Sequence, residues 1–247
     1  MKAAGGTLRI SVIVKALDEG PRIRRALASA LAAVAEVADA IGGEVILADS
    51  GSRDDTVAQA LRLPVRVVQL ANPREQRCGV GPELGWRQAR GEYLYLMDGD
   101  MELAPGFLAP ALDFLARHPE VAGVGGRVIE RNLGALEYRE RERRAQTQET
   151  HRRPGPVDRL DGGGLYRRRA IAEAGYFSDR NLHSYEELDL ALRLRARDWR
   201  LWRLSLPAVS HEGHADSPWT LLARRWRSGY AWGCGELLRA ALGQPWW

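Results

Sequence analysis

Two aspartates separated by one glycine, Asp98-Gly99-Asp100, close the apolar run Tyr93-Leu94-Tyr95-Leu96-Met97. In an extended chain, residues two apart point to the same side, so both carboxylates face one way. Carboxylates this close repel each other, and a bound cation removes that penalty. The chemistry suggested is a hard divalent ion, Mn²⁺ or Mg²⁺, held by one or two carboxylates and completed by substrate phosphates. Gly99 has no side chain, so a ligand can approach the backbone there. Taken alone, Asp-Gly-Asp is also ordinary turn chemistry, and a polar turn is its simplest explanation.

Other polar residues recur at comparable places. Asp18 follows the β-branched run Leu8–Val14, and Asp49 closes the run Glu44–Asp49. Glu186-Glu187-Leu188-Asp189 opens a helical pattern that ends near Trp199. Ser184 fits an N-cap with Glu187 at the third helical position, a capping box that gives Glu187 a structural alternative to chemistry. Gly162-Gly163-Gly164 costs backbone entropy, which implies close approach of a ligand or of another chain segment. His211 and His214 flank Glu212-Gly213 beyond a strand over Leu201–Leu206.

These positions need a scaffold, and the first hundred residues supply one. Strands over 8–14, 44–49, 65–70 and 92–98 alternate with helices over 21–41, 56–63 and 82–90, with Gly42-Gly43 ending the first helix. Such alternation implies a parallel sheet with right-handed crossovers. Ligands of these sheets bind at the carboxyl ends of the strands. Asp18, Asp49, Asp98 and Asp100 all fall there, so a convergent site displaces the turn explanation. The second half is less regular. It offers a helix over 105–118, a strand over 121–130, and a mixed-charge stretch over 133–153 that reads as a solvated helix.

The 247 residues suit one large domain, and 45% hydrophobic with 28% charged residues is an ordinary soluble composition. A net charge of +4 favours anionic partners without choosing among them. The arginines are interspersed with acids instead of forming one stripe, which argues against nucleic acid. Cys78 and Cys234 stand far apart in no metal spacing, as in a reduced cytoplasmic protein. Residues 1–7 carry no secretory signal, and the Ala-rich stretch 26–41 is too short for a membrane span. The expected organisation is one domain over 1–215 and a C-terminal tail over 216–247. In that tail Trp219, Trp226, Tyr230 and Trp232 alternate with arginines. It either packs on the domain or lies in a headgroup region, as a peripheral protein on the cytosolic face of the inner membrane.

Taken in order, these pieces resemble family 2 glycosyltransferases, over roughly residues 8 to 215. The resemblance implies a GT-A fold, an α/β Rossmann-like, mostly parallel sheet flanked by helices. A nucleotide-binding half (about 1–102) would precede a less regular acceptor half (about 103–215). It also implies inverting transfer from a nucleoside-diphosphate-sugar to a hydroxyl acceptor, in bacterial polysaccharide or glycan assembly. On this likeness Ala16, Leu17, Glu19, Asp49 and Ser52 contact the nucleotide-sugar, as does Asp98. Asp98 and Asp100 are the metal-binding DXD motif, with His211 (or His214) as the late metal or diphosphate contact. Gly162, Gly163, Gly164 and Glu186 border the sugar and acceptor site. Glu187 takes the place of the catalytic base, where the family more often has Asp, so Glu186 and Asp189 stay as alternates.

Two departures matter. Lys15 stands where the family often has proline. Gly81-Pro82-Glu83 replaces an Ala-Arg-Asn, so the basic phosphate partner must come from elsewhere, Arg77 or Arg87. UDP is favoured over GDP by family frequency alone, and the acceptor is a glycan or a lipid-linked hydroxyl. Two other readings compete: a nucleotidyltransferase, whose phosphate loop needs more glycine than Lys15–Gly20 holds, and a non-catalytic nucleotide-sugar or glycan-binding module.

Overall fold

A computed structural model describes residues 8–38, 42–132, 139, 143, 153–161, 163–213 and 217–244. The stretch 133–153 lies almost wholly outside these, as do Gly162 and His214. Strands β1 (Leu8–Ala16), β2 (Gly42–Asp49), β3 (Arg66–Gln69) and β4 (Tyr93–Asp98) pair in parallel in the order β3-β2-β1-β4. Helices α1 (Gly20–Val37), α2 (Thr56–Ala60) and α3 (Val80–Gln88) connect them. The expected β-α alternation is therefore present.

The sheet does not stay parallel. β4 pairs antiparallel with β8 (Gly164–Arg167), which pairs antiparallel with β6 (Val121–Glu130). β6 runs parallel to β9 (Arg200–His211), whose other partners are β5 (Met101–Leu103) and β7 (Gly155–Val157), both antiparallel. The short strands β5 and β7 carry too few residues to show an alternating pattern. α4 (Leu108–Arg117) and α5 (Arg168–Glu173) flank this half, followed by α6 (Glu186–Arg195).

Both faces of the parallel strands are covered, and the strand period shows it. Tyr93, Tyr95 and Met97 join Val12, Val14 and the α1 face Ile23, Leu27 and Ala30 in one core. Leu94, Leu96 and Ile13 point the other way and pack with Leu190, Ala191 and Leu194 of α6. An unbroken apolar run is what a doubly covered strand requires.

Several expected boundaries shift. Helix α1 stops at Val37 rather than Ile41, and Gly42-Gly43 does not end it but begins β2. A Cβ on Gly43 would lie 2.5 Å from Val34 and 2.9 Å from Ile10, so its glycine serves the contact between α1 and β1. The last strand does not end at Leu206. β9 continues through Pro207 to His211, and the register slips where Pro207 faces Arg127. An irregularity in the ladder is where a strand tolerates proline, which has no N–H to donate.

Candidate active site

The register of the parallel strands builds the site. Lys15 of β1 lies beside Asp98 of β4, and the next residue, Ala16, lies beside Asp49 of β2. Three strands thus end level, at one edge. The loops beyond them are tied together by side chains accepting backbone N–H bonds. Ser52 Oγ accepts from Asp18 N at 2.9 Å, Asp18 Oδ1 from Arg53 N at 2.7 Å, and Thr56 Oγ1 from Glu19 N at 2.8 Å. Asp49 is fully buried and accepts from the N–H groups of Gly51 and Ser52 and from Gln69 Nε2. Its carboxylate therefore shapes the loop that Ser52 belongs to.

A cleft of about 600 Å³ opens over this edge. Lys15, Ala16, Leu17 and Glu19 form one side, and Asp98, Gly99 and Asp100 the floor. Arg77 and Cys78 also line the cleft. Arg77 Nη1 donates to the carbonyl of Gln76 at 2.6 Å, which holds its guanidinium at the cleft. Arg87, the other expected phosphate partner, instead pairs with Glu83 at 2.7 Å and is absent from the cleft lining. Burial pushes the Cys78 thiol up to about 12, with Glu186 adding to the rise, so it is protonated at neutral pH and is no nucleophile.

The acids of the floor are held by named cations. Lys15 Nζ lies 3.1 Å from Asp98 and 2.9 Å from Glu186. Burial works against charge on Lys15, but Asp98, Glu186 and Glu187 outweigh it and keep its pKa well above the usual lysine value. Burial raises Asp98; Lys15 pulls it back, Asp100 repels it, and the net shift is upward. Asp100 ends below the usual carboxylate range, because its hydrogen bond to His211 outweighs the cost of burial. Burial and then Asp100 push Glu19 up to about 7, against the pull of Arg22.

His211 closes the floor from the end of β9. Its Nε2 lies 3.2 Å from Asp100 and its Nδ1 2.6 Å from Glu130. Burial disfavours its charge, but the two carboxylates prevail and push its pKa up to about 10. Glu130 was not legible as a site residue, since it is the last residue of an ordinary strand; only the β6–β9 register, which sets it beside His211, reveals it.

Does this floor fit a divalent ion? Asp100 Oδ1 is buried with no hydrogen-bond partner. An orphaned carboxylate oxygen beside a second carboxylate is an oxygen donor set suited to a hard cation. A histidine fixed at Nδ1 by a carboxylate, with Nε2 toward the site, is the usual way an imidazole is oriented for a metal. The residues fit, although no three such ligands are gathered in binding geometry among the described residues.

The three acids of α6 have separate surroundings. Glu186 is buried on Lys15. Asp189, fully buried, bonds Arg193 at 2.7 Å, and Arg193 also donates to the carbonyls of Ala174, Tyr176 and Phe177. That ion pair ties α6 to the preceding loop and keeps Asp189 away from the cleft. Glu187 is half-buried, and burial followed by Glu186 pushes it up to about 8 against the pull of Lys15. Glu186 and Glu187 are not among the residues lining the cleft, but Lys15 and Cys78, which line it, both feel the Glu187 charge. The expected capping box is absent. Tyr185, in the left-handed region at φ 67°, precedes α6, and Ser184 Oγ donates to the carbonyl of Tyr230 instead. Tertiary bonding took the hydroxyl that local pattern assigned to a cap.

Gly163 and Gly164 are not among the residues lining the cleft. Gly163 has φ +94°, and a Cβ there would lie 2.4 Å from the Leu96 carbonyl. The glycine is needed by the close approach of β4, the second of the two explanations offered by the sequence.

The C-terminal segment also reaches the cleft. Arg227, Ser228, Gly229 and Trp232 line it, together with His183. The sequence marked this tail only by its tryptophans and arginines.

The family model described as glycosyl transferase family 2 matches residues 11–175. Glucomannan 4-beta-mannosyltransferase 2 of Arabidopsis thaliana is 29% identical over 155 residues, which is 58% of this chain and 27% of that protein. The fold is similar to that of S. aureus TarS 1-349 in complex with UDP-GlcNAc, with a TM-score of 0.67 at 20% identity over 85% of this chain and 60% of that one. It is also similar to glucosyl-3-phosphoglycerate synthase from Mycobacterium tuberculosis in complex with Mn²⁺, UDP and phosphoglyceric acid. There the TM-score is 0.61 at 21% identity, over 91% of this chain and 76% of that one. The chain thus spans about a quarter of the curated relative's length.

Proposed function

The chain belongs to glycosyl transferase family 2, and on that premise we propose that it transfers a sugar from a nucleoside-diphosphate-sugar to an acceptor hydroxyl, with inversion. One observation carries the reading. A cleft at the carboxyl ends of three parallel strands has a compensated pair of aspartates on its floor, and close by a carboxylate with a pKa near 8. A general base works best with a pKa near the working pH.

Glu187 takes the proton of the acceptor hydroxyl as that oxygen attacks the anomeric carbon. The bond from that carbon to the diphosphate oxygen breaks in the same displacement, so no enzyme nucleophile is needed. Asp98 and Asp100 would hold Mn²⁺ or Mg²⁺, joined by the Nε2 of His211 once the ion displaces the proton that the two carboxylates favour on that ring. Such an ion supplies Lewis-acid stabilisation to the charge developing on the departing diphosphate. Arg77 and Arg227, on the cleft walls, add fixed positive charge near the same oxygens. Ala16, Leu17, Glu19 and the loop ordered by Asp49 hold the nucleoside. Glu186 and Lys15 border the sugar. In this reading residues up to about 102 bind the donor, and residues 103–215 face the acceptor, a glycan or a lipid-linked hydroxyl.

UDP is the favoured nucleotide, because the similar TarS and synthase structures carry UDP or UDP-sugars, and the synthase carries Mn²⁺. A thermal-shift screen of UDP and GDP with and without Mn²⁺ tests this, since a ligand of the folded state raises apparent stability. A rise in Tm with UDP that grows with Mn²⁺ supports the reading. No shift with any nucleoside diphosphate contradicts it.

A further inference from the structure

The tail forms two helices, α7 (Pro218–Arg227) and α8 (Gly233–Ala241), joined by a 3₁₀ turn over Tyr230–Trp232. Ser217 caps α7, its Oγ accepting from Thr220 N at 3.2 Å. The segment is docked on the domain. Glu236 accepts from His183 N at 2.9 Å and lies 2.7 Å from His183 Nδ1, while Ser184 holds Tyr230. Leu221, Leu237 and Ala241 are buried.

The opposite side of α7 is not covered. Trp219 is 80% exposed, Leu222 56% and Trp226 65%. At about 100° per residue, these three fall within about 60° of one another, roughly opposite Leu221. A docked helix that turns two indoles and a leucine outward spends apolar surface that packing does not explain. Arg225 and Arg227 flank the stripe on its two sides, and the stretch 217–232 has no acid. Beyond α7, Trp232 is 56% exposed and Leu238 46%.

We propose that this face of α7 docks on an anionic lipid bilayer. Indoles suit the interface because they are apolar in body and polar at the N–H. Arginines beside them keep their charge among the headgroups while their stems lie along apolar surface. The absence of acids on the stretch gives the charge complementarity that a neutral protein groove would not need. No helix among the described residues is long and apolar enough to cross a membrane, so the contact lies on the surface plane. The end of the same helix, at Arg227 and Ser228, lines the cleft. Docking therefore sets the cleft mouth at the bilayer surface, within reach of an acceptor carried on a lipid. This last consequence rests on the transferase reading; the docking itself does not.

The test is co-sedimentation of the full chain with phosphatidylglycerol/phosphatidylcholine vesicles and with pure phosphatidylcholine vesicles. A double variant, Trp219→Ser with Trp226→Ser, alters only exposed side chains. Thermal shift with UDP and Mn²⁺ is recorded on both proteins. We expect the wild type to bind anionic vesicles, to bind neutral ones more weakly, and to be released by salt. The double variant should bind about tenfold more weakly, with its UDP response unchanged. Equal binding by both proteins overturns the proposal. So does a wild-type dimer that the double substitution splits while neither protein sediments with vesicles, which would assign the face to a second copy. Loss of the UDP response in wild type, with vesicle binding intact, would fault the transferase reading and leave the docking standing.

Discussion

Two acidic ends meet near the cleft, Asp98-Gly99-Asp100 at the end of β4 and Glu186-Glu187 at the start of α6, and their partners differ. At the first, each carboxylate has a cation: Lys15 for Asp98, His211 for Asp100. At the second, Glu186 shares Lys15, and Glu187 is pushed up to about 8 by burial and by its neighbour. On the floor His211 holds Asp100 below the usual carboxylate range, while Asp98 stays raised despite Lys15, and a bound cation would favour its charged form. Glu187, raised to about 8 against the pull of Lys15, stands near the point of taking a proton. The difference lies in surroundings, since both ends are closely spaced pairs of carboxylates in the sequence. It divides the work into holding a leaving group and accepting a proton.

Substitution at each end should therefore fail differently. Asp100→Ala removes the carboxylate with the orphaned oxygen, and should lower kcat/KM by roughly 10⁴-fold together with metal-dependent donor affinity. Near-normal steady-state kinetics would refute the floor assignment. Glu187→Gln should cost about 10³-fold in kcat with little change in donor affinity. The working form of Glu187 is the ionised one, which prevails above its pKa. Wild-type kcat/KM should then fall as pH drops through about 8, and the glutamine variant should lack that limb. If Glu186→Gln or a substitution at Asp189 abolishes the limb instead, the base is misassigned.

Asp189 serves as the internal control, because it shares the helix turn but is committed to Arg193. Arg193→Met should leave Asp189 buried without its partner, costing about 3 kcal/mol, or roughly 6–12 °C in Tm by calorimetry. An unchanged Tm would mean that the ion pair does not anchor α6. The smallest effect belongs to the residue that joins the two ends. Lys15→Met should lower kcat/KM by about tenfold and move the pH midpoint upward, since the cation favouring ionised Glu187 is gone. A midpoint that stays or moves down would show that Lys15 does not couple them.

What the sequence disclosed was what local pattern determines. The strands ending in Asp49 and Asp98, and the helices between them, follow from periodicity within a few residues, although Gly42-Gly43 opens a strand where a helix end was expected. What it concealed was set by distant partners. His211 was expected in a loop, because Pro207 reads as a strand breaker, yet the β6–β9 register carries the strand past it and sets Glu130 beside the ring. Ser184 matched a helix cap, yet Tyr230, distant in the sequence, claims its hydroxyl. Asp189 stands four residues before Arg193, the spacing of a helix ion pair, whereas Glu187 has no such partner; spacing could have separated them, and the fold adds that the pair is buried. Gly163 offered two explanations, and the nearness of the Leu96 carbonyl decided between them. The tail's part in the cleft had no local signal, because it depends on where His183 and Glu236 meet.

The division of labour is tested most directly by titrating UDP, with and without Mn²⁺, into wild type, Asp100→Ala and Glu187→Gln by calorimetry. The account predicts that Mn²⁺ tightens UDP binding equally in wild type and Glu187→Gln, and has no such effect in Asp100→Ala. Mn²⁺-dependent binding that survives in Asp100→Ala, or is lost in Glu187→Gln, would contradict it.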